Sequence, residues 1–135
     1  IKLVVQAIID CDNPLIQATN AYTPMQDASD IVDTNTVKVI KDTNGQALAY
    51  SRQPIPYPKA NIAKYYKQLG LYAFKQSGLQ IFSENTPANL ERVEGVEMYR
   101  LLEHGYSIQM VETNDASISV DTPSDLIRVQ ERFGA

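Results

Sequence analysis

Two aspartates near the end of the chain have the residue type and spacing for metal binding or helix capping. Asp121 and Asp125 lie in SISVDTPSDL, residues 117–126, which is typical of a strand running directly into a helix. Thr122 suits the N-cap, Pro123 suits the first helical position, and the second aspartate follows the cap by three residues. In one interpretation both carboxylates stabilise a helix N-terminus, whose dipole favours negative charge; in the other, the first binds a metal in a ligand crevice. Spacing alone favours capping by roughly three to one, because such caps are common.

A second candidate lies where Ser51 and Arg52 precede a proline-rich segment, SRQPIPYP, residues 51–58. Three prolines in so short a segment exclude a helix and remove donors from any strand ladder. The segment is therefore predicted to be a stiff, extended loop. Such a loop could hold the serine and arginine in fixed positions for a ligand, or it could simply lead the chain out of a sheet; the sequence favours neither.

Composition limits the classes of partner and compartment. The 135 residues are 44% hydrophobic and 21% charged, as expected for one modest globular domain or part of a larger one. The net charge of −4, with no basic run, predicts no nucleic-acid partner, and no apolar run approaches the roughly 20 residues that span a bilayer. Cys11 is the only cysteine, which excludes an internal disulfide and predicts a reducing, cytoplasmic compartment. A start at Ile1 inside an apolar segment suggests a cut end.

Hydrophobic periodicity and turn residues predict the elements of the first half of the chain. Asn44-Gly45 between two short apolar runs is a strong hairpin signal, since both residues tolerate positive φ. The predicted elements are a helix over 2–10, a strand over 15–22 ended by a turn at Thr23-Pro24, one or two helical turns within 25–31, and the hairpin within 33–52.

The same reasoning gives the second half. The predicted elements are a polar loop over 60–67, a central strand over 68–74, a short helix from the cap Ser77 to 83, a helix over 90–103 ended by Gly105, a strand over 107–112 and the last helix. The long helix would bury Val93, Val96, Leu101 and Leu102, and the last helix Leu126, Ile127, Val129 and Phe133. Glu94, Glu97 and Arg100 would lie together on a solvated face, and His104 at the surface.

This order of elements predicts an α/β fold with a mixed sheet. The sequence holds no glycine-rich phosphate loop, no paired cysteine or histidine ligands and no nucleophile–base pair.

Four stretches together carry a family resemblance: TVKVIKDTNGQALAYSRQPIPYP, QLGLYAF, LERVEGVEMYRLLEHG and SVDTPSDL. In order and interval, over residues 15–133, they resemble the carboxyl-terminal half of the 3-deoxy-manno-octulosonate cytidylyltransferase (CMP-Kdo synthetase) family. The resemblance implies a Rossmann-like nucleotidyltransferase fold. Residues 1–135 would be a partial, carboxyl-terminal portion of one such domain, with a mixed sheet and a small sheet for sugar binding and dimerisation.

The resemblance also implies an activity. The parent enzyme would transfer CMP from CTP to a 2-keto-3-deoxy sugar acid, Kdo or a related one, and release pyrophosphate, as a Mg²⁺-dependent cytoplasmic homodimer of lipopolysaccharide biosynthesis. The nucleotide-binding half is absent from this sequence, so the fragment alone is expected to be inactive. Two alternatives remain open: a non-catalytic dimerisation or assembly module derived from the same scaffold, and a transferase of another nucleotide.

Site residues follow from the resemblance position by position. It implies Asp121 as the magnesium ligand, which raises the metal interpretation above its standing from spacing alone. The substrate-binding residues that it implies are Ser51, Arg52, Lys59, Gln68, Tyr72, Glu97 and Met98. Cations near the proline loop would meet the sugar carboxylate or a phosphate, and the glutamate would accept hydrogen bonds from sugar hydroxyls. The family usually has histidine at position 68 and glutamine at position 98. A thioether cannot replace an amide's donors and acceptor, so these departures predict a different acid substrate.

Overall fold

The computed structural model describes residues 1–60, 63–114, 120 and 123–134. In chain order the elements are α1 (Lys2–Ile9), β1 (Ile16–Met25), α2 (Ala28–Val32), β2 (Lys38–Lys41), β3 (Ala47–Ser51), β4 (Tyr65–Phe74), α3 (Gln76–Glu84), α4 (Asn89–Glu94), α5 (Tyr99–Glu103), β5 (Ser107–Glu112) and α6 (Pro123–Phe133). The strands form one sheet in the order β3-β2-β4-β1-β5. β1 is parallel to β5 and antiparallel to β4, which confirms the predicted α/β class and mixed sheet.

The sheet is organised around β1, which is buried on both faces from Ile16 to Tyr22. Alternate side chains of this strand enter two separate cores, as the period of two requires. Ala18 and Tyr22 join the larger core, which α5 and the β2–β3 hairpin cover, while Ala21 packs against Val4 of α1 on the opposite face. Helices therefore lie on both faces of a sheet whose central strands are apolar.

The hairpin belongs to the same sheet rather than to a second one in the described residues, because Lys38 of β2 pairs with Lys67 of β4. Its turn has Gly45 at φ +80°, as the Asn-Gly signal predicts. The turn also reaches the far edge of the sheet, where the carbonyl of Gly45 accepts from the amide of Met110 at 2.8 Å. This contact closes the hairpin over the larger core and covers part of the β5 edge.

The predicted turn at Thr23-Pro24 is wrong, and so is part of the predicted loop over 60–67. β1 continues to Met25 and pairs with an extension of β4, with Thr23 opposite Lys67 and Met25 opposite Tyr65. Each extension depends on the other, so neither has a strong signal of its own in the sequence.

The single helix predicted over 90–103 is wrong because Gly95 divides it. This residue adopts φ +64°, a left-handed conformation that ends α4 and turns the chain into α5. The change of direction leaves Val93 73% exposed, while Val96 and Leu101 are buried as predicted. Gly105, at φ +84°, ends α5 beside an exposed His104, as predicted.

Two further helix predictions need correction. Ser77 does not cap α3: the N-cap is Lys75, and the serine hydroxyl donates instead to Oε1 of Gln17 at 2.6 Å. α6 begins at Pro123 as expected, but Leu126 and Ile127 are exposed rather than buried. The preceding strand and the side chain of Phe133 lie outside the described residues. No described helix is long and apolar enough to cross a membrane.

Gly78 is where α3 approaches β1 most closely, so its replacement tests this packing. A Cβ at Gly78 would lie 2.3 Å from the carbonyl oxygen of Gln17, which already accepts from the amide of Lys75. We expect Gly78→Ala to lower the free energy of unfolding by about 1–3 kcal/mol in urea denaturation. Gly70→Ala is the control, because a Cβ there meets no atom within 4 Å. Equal midpoints for the two variants would contradict this packing.

Candidate functional site

The end of the hairpin is attached to the α4–α5 junction by one carboxylate. Ser51 is buried, and its hydroxyl donates to Oε1 of Glu94 at 2.9 Å, while the backbone amide of Arg52 donates to Oε2 at 3.0 Å. Glu94 thus accepts from two consecutive residues of the hairpin. Of the two interpretations of this segment, the contacts agree with fixed positions for Ser51 and Arg52, and the group that holds them is the Glu94 carboxylate.

The guanidinium of Arg52 spans three backbone carbonyls. Its Nε donates to the carbonyl of Glu94 at 2.8 Å, Nη1 to Thr34 at 3.0 Å and Nη2 to Gly95 at 3.4 Å. A guanidinium has five N–H donors, so two remain available for another acceptor. The geometry therefore orients this cation rigidly and still leaves it able to pair with an anionic ligand.

A bulge in β4 brings Gln68 and Tyr72 together. Tyr72 lies opposite Asn20 and Gln68 lies opposite Tyr22, so three residues of β4 face one residue of β1. Four residues along a regular strand span about 13 Å, and a bulge bends the strand and re-aims its side chains. Here Nε2 of Gln68 lies 2.5 Å from the hydroxyl oxygen of Tyr72.

Tyr72 and Glu97 act on each other electrostatically. Burial raises the pKa of Tyr72, the Gln68 hydrogen bond opposes this, and the negative charge of Glu97 raises it further. The phenol therefore stays protonated and available as a donor. The carboxylate of Glu97 is exposed, and in the described part of the chain it makes no hydrogen bond or ion pair. Together the three side chains offer an amide oxygen, a hydroxyl donor and a free carboxylate, a set that suits a polyhydroxylated ligand.

The remaining predicted site residues do not join this group. Met98 is 2% exposed and packs in the larger core, so the structure gives it a packing role. Lys59 is exposed, and its ammonium makes no hydrogen bond to any described residue. Asp121 lies outside the described residues, and no three histidine, cysteine, aspartate or glutamate side chains converge within the residues that are described. The magnesium site and the ligand role of each residue stay predictions.

Sequence reasoning missed Lys38 and misjudged Glu94. Lys38 is fully buried, yet within VKVI it is typical of an edge-strand charge. Glu94 was placed on a solvated helical face beside Arg100, whereas the arginine instead pairs with Glu91 at 2.5 Å. The one available signal was Gly95, since a glycine inside a helical pattern can mark its end.

Comparisons with known proteins place this geometry in context. The sequence model of the family described as Cytidylyltransferase matches residues 1–112. The 3-deoxy-manno-octulosonate cytidylyltransferase of Christiangramia forsetii is 43% identical over 119 residues, covering 86% of this chain and 48% of that protein. The protein of the same name from Chlorobaculum tepidum is 41% identical over 132 residues, covering 92% of this chain and 53% of that protein.

A solved structure is also similar. The CMP:2-keto-3-deoxy-manno-octonic acid synthetase complexed with CTP superposes with a TM-score of 0.84 at 32% identity. The superposition covers 97% of this chain and 54% of that one. The chain thus spans about half the length of the relatives that it matches.

Glu94 and Glu97 form a matched pair for testing the hairpin attachment. Glu94→Ala leaves the Ser51 hydroxyl and the Arg52 amide without their acceptor, so we expect the free energy of unfolding to fall by about 2 kcal/mol. Glu97→Ala should change it by no more than about 0.5 kcal/mol, because the side chain is exposed. Urea denaturation of both variants measures the difference. Equal losses would show that the Glu94 carboxylate does not hold the hairpin.

Proposed function

The chain belongs to the cytidylyltransferase family, and we propose that it is the carboxyl-terminal part of an enzyme that activates a sugar acid. The parent enzyme transfers CMP from CTP to a 2-keto-3-deoxy sugar acid and releases pyrophosphate. The observation that carries this proposal is the hydrogen bond between Gln68 and Tyr72, together with the charge of the exposed Glu97 carboxylate acting on the Tyr72 phenol. It agrees with the names of the relatives, which are cytidylyltransferases or synthetases of such an acid.

In this proposal the chain supplies the acceptor side of the reaction. Glu97 accepts hydrogen bonds from sugar hydroxyls and Tyr72 donates one, while the two free N–H groups of Arg52 pair with the sugar carboxylate. These contacts orient the anomeric hydroxyl toward the α-phosphorus of CTP. The hydroxyl oxygen bonds to this phosphorus, the bond from the phosphorus to pyrophosphate breaks, and the hydroxyl proton is released to water. Holding the two reactants in this geometry lowers the barrier without any covalent step at the protein.

The proposal includes Asp121 as a ligand of Mg²⁺. When bound, Mg²⁺ supplies neutralisation of phosphate charge during the transfer, and a carboxylate oxygen is the ligand type that it prefers. No described residue is assigned a step that depends on the ion.

The acceptor is proposed to be a relative of Kdo rather than Kdo itself. Gln68 has a neutral amide. Met98 is buried in the larger core, and its thioether cannot provide the hydrogen-bonding partner for a sugar hydroxyl that an amide would provide. A site that loses a hydrogen-bonding partner for one hydroxyl discriminates against the acid that carries it. The proposed assembly is a homodimer, for which the exposed Leu48 and Tyr57 of the hairpin and proline loop offer apolar contact area.

A second candidate, a non-catalytic assembly module, has one observation in its favour. Three apolar residues in or next to α1, Ile1, Leu3 and Ile9, are between 63% and 84% exposed and offer apolar surface for contact with another polypeptide. The same surface would also suit the remaining half of a cytidylyltransferase, so the two functions are separated by an activity measurement.

The first experiment measures pyrophosphate release. The full-length protein encoded with this sequence is supplied with CTP, Mg²⁺ and a panel of 2-keto sugar acids, and the 135-residue chain is assayed in parallel. We expect release by the full-length protein with at least one acid and none by the chain alone, because the family resemblance implies that the nucleotide-binding half lies outside this chain. The absence of release from the full-length protein with every acid would refute the proposed transfer and favour the assembly module.

Glu97→Gln in the full-length protein tests the acceptor site. The substitution keeps the size of the side chain but removes the charge and one acceptor, so we expect the KM for the sugar acid to rise about tenfold. The KM for CTP should stay unchanged. Glu84→Gln is the control, at an exposed glutamate in α3. An unchanged KM for the acid in Glu97→Gln would remove this residue from the site.

A further inference from the structure

Lys38 is a buried cation to which the proposed reaction gives no role. Its side chain is fully buried, and its ammonium donates to the carbonyls of Asp33 at 2.9 Å, Thr36 at 2.6 Å and Arg52. An ammonium has three N–H donors, so all three are used, and each acceptor is a main-chain carbonyl rather than a carboxylate. The Lys38 ammonium therefore fixes the positions of three backbone carbonyls relative to one another.

These three bonds connect two segments of the backbone. One is the loop over 33–36 before β2, and the other is the exit of β3 at Arg52. The guanidinium of Arg52 extends the connection to Gly95 and also returns to Thr34, in the loop that Lys38 itself holds. Lys38 thus stands at the centre of a clamp made of two cations and the carbonyl groups of three segments.

The clamp reaches the segment that carries Glu97, because the Arg52 guanidinium donates to the carbonyls of Glu94 and Gly95. Arg52 is held from one side by the Lys38 ammonium at its carbonyl and from the other by Glu94 at its amide. Glu97 lies three residues after Glu94, in the junction between α4 and α5. We propose that Lys38 is a positioning residue, which fixes the Arg52 guanidinium relative to the Glu97 carboxylate so that both meet one sugar acid. This inference rests on the proposed function for the identity of the ligand.

Burying a lysine ammonium costs desolvation free energy that an apolar side chain would not cost, which favours a role for Lys38 in positioning the backbone. Burial lowers the pKa of Lys38; the charges of Asp33 and Glu94 oppose this shift, and the charge of Arg52 adds to it. An apolar side chain of similar length would avoid the desolvation cost. It would also leave three carbonyls without donors and the Arg52 main chain without its anchor.

Nitrogen-15 NMR of the full-length protein measures the clamp without any ligand. In the unchanged protein, we expect the ammonium protons of Lys38 to exchange with water at least about tenfold more slowly than those of Lys67, its register partner across β2 and β4. In Lys38→Met, the Nε–H of Arg52 should exchange about tenfold faster. Lys67→Met, the control, should leave that exchange unchanged.

Steady-state kinetics of the same variants tests the role toward the ligand. We expect Lys38→Met to raise the KM for the sugar acid about tenfold and to leave the KM for CTP unchanged, a split that general loss of stability would not produce. Lys67→Met should alter neither constant. Equal increases in both constants for Lys38→Met would overturn the positioning role.

The NMR and kinetic measurements test different parts of the proposal, so failure of the positioning role and failure of the proposed function can be told apart. If Lys38→Met folds and Arg52 Nε–H exchange is unchanged, the positioning role is overturned whether or not the enzyme uses a sugar acid. If Lys38→Met does not fold, the unchanged protein decides, because ammonium exchange at Lys38 as fast as at Lys67 would overturn the clamp. If exchange responds as expected but no acid is a substrate, the clamp stands as geometry while the proposed function and the ligand role of Lys38 both fail.

Discussion

The amide of Asn20 is the interaction on which both the sheet and the candidate site depend. This fully buried side chain donates from Nδ2 to the carbonyls of Leu69 at 2.8 Å and Leu71 at 3.1 Å, which the β4 bulge removes from the regular ladder. Its Oδ1 accepts from the hydroxyl of Tyr50 at 3.2 Å. The Asn20 side chain therefore supplies donors to the two carbonyls of the bulge and holds the hairpin through Tyr50. A buried carbonyl without a donor costs about 1–3 kcal/mol, so the bulge persists because this amide fills it.

A polar side chain of α5, Tyr99, also pairs with backbone groups at the outer edge of the hairpin. The hydroxyl of Tyr99 accepts from the backbone amide of Tyr50 at 2.9 Å and donates to the carbonyl of Tyr50. It therefore satisfies the two backbone groups that a neighbouring strand would otherwise pair with. An edge strand with unpaired groups is a template for aggregation, and α5 removes part of that risk. The same helix follows the junction at Gly95, so protection of the edge and placement of Glu97 both depend on one change of chain direction.

Local chemistry in the sequence was enough to predict the hairpin, the early helix, the last strand and the end of α5. Asn44-Gly45 and Gly105 act within a few residues of themselves, so their signals are complete in one stretch. The bulge, the extension of β1 to Met25 and the burial of Lys38 arise from pairings between distant segments, which no local pattern contains. The candidate site divides in the same way. Ser51 and Arg52 had a signal in the proline-rich segment itself and the other residues came from a family resemblance, whereas the contacts that place them came only from the structure.

The acceptor side of the proposed reaction is built largely in advance of any ligand. Gln68 has its amide committed to the carbonyl of Leu69 and to Tyr72, and Arg52 has three of its five donors committed to carbonyls. The entropy of ordering these side chains is thus lost on folding rather than on binding, which favours affinity and orientation. The groups proposed to contact the ligand lie between residues 51 and 97, whereas Lys38 and Asn20, which hold parts of this segment in place, lie before it. In the proposed reaction, discrimination among sugar acids would therefore depend both on the contacting residues and on the distant residues that position them.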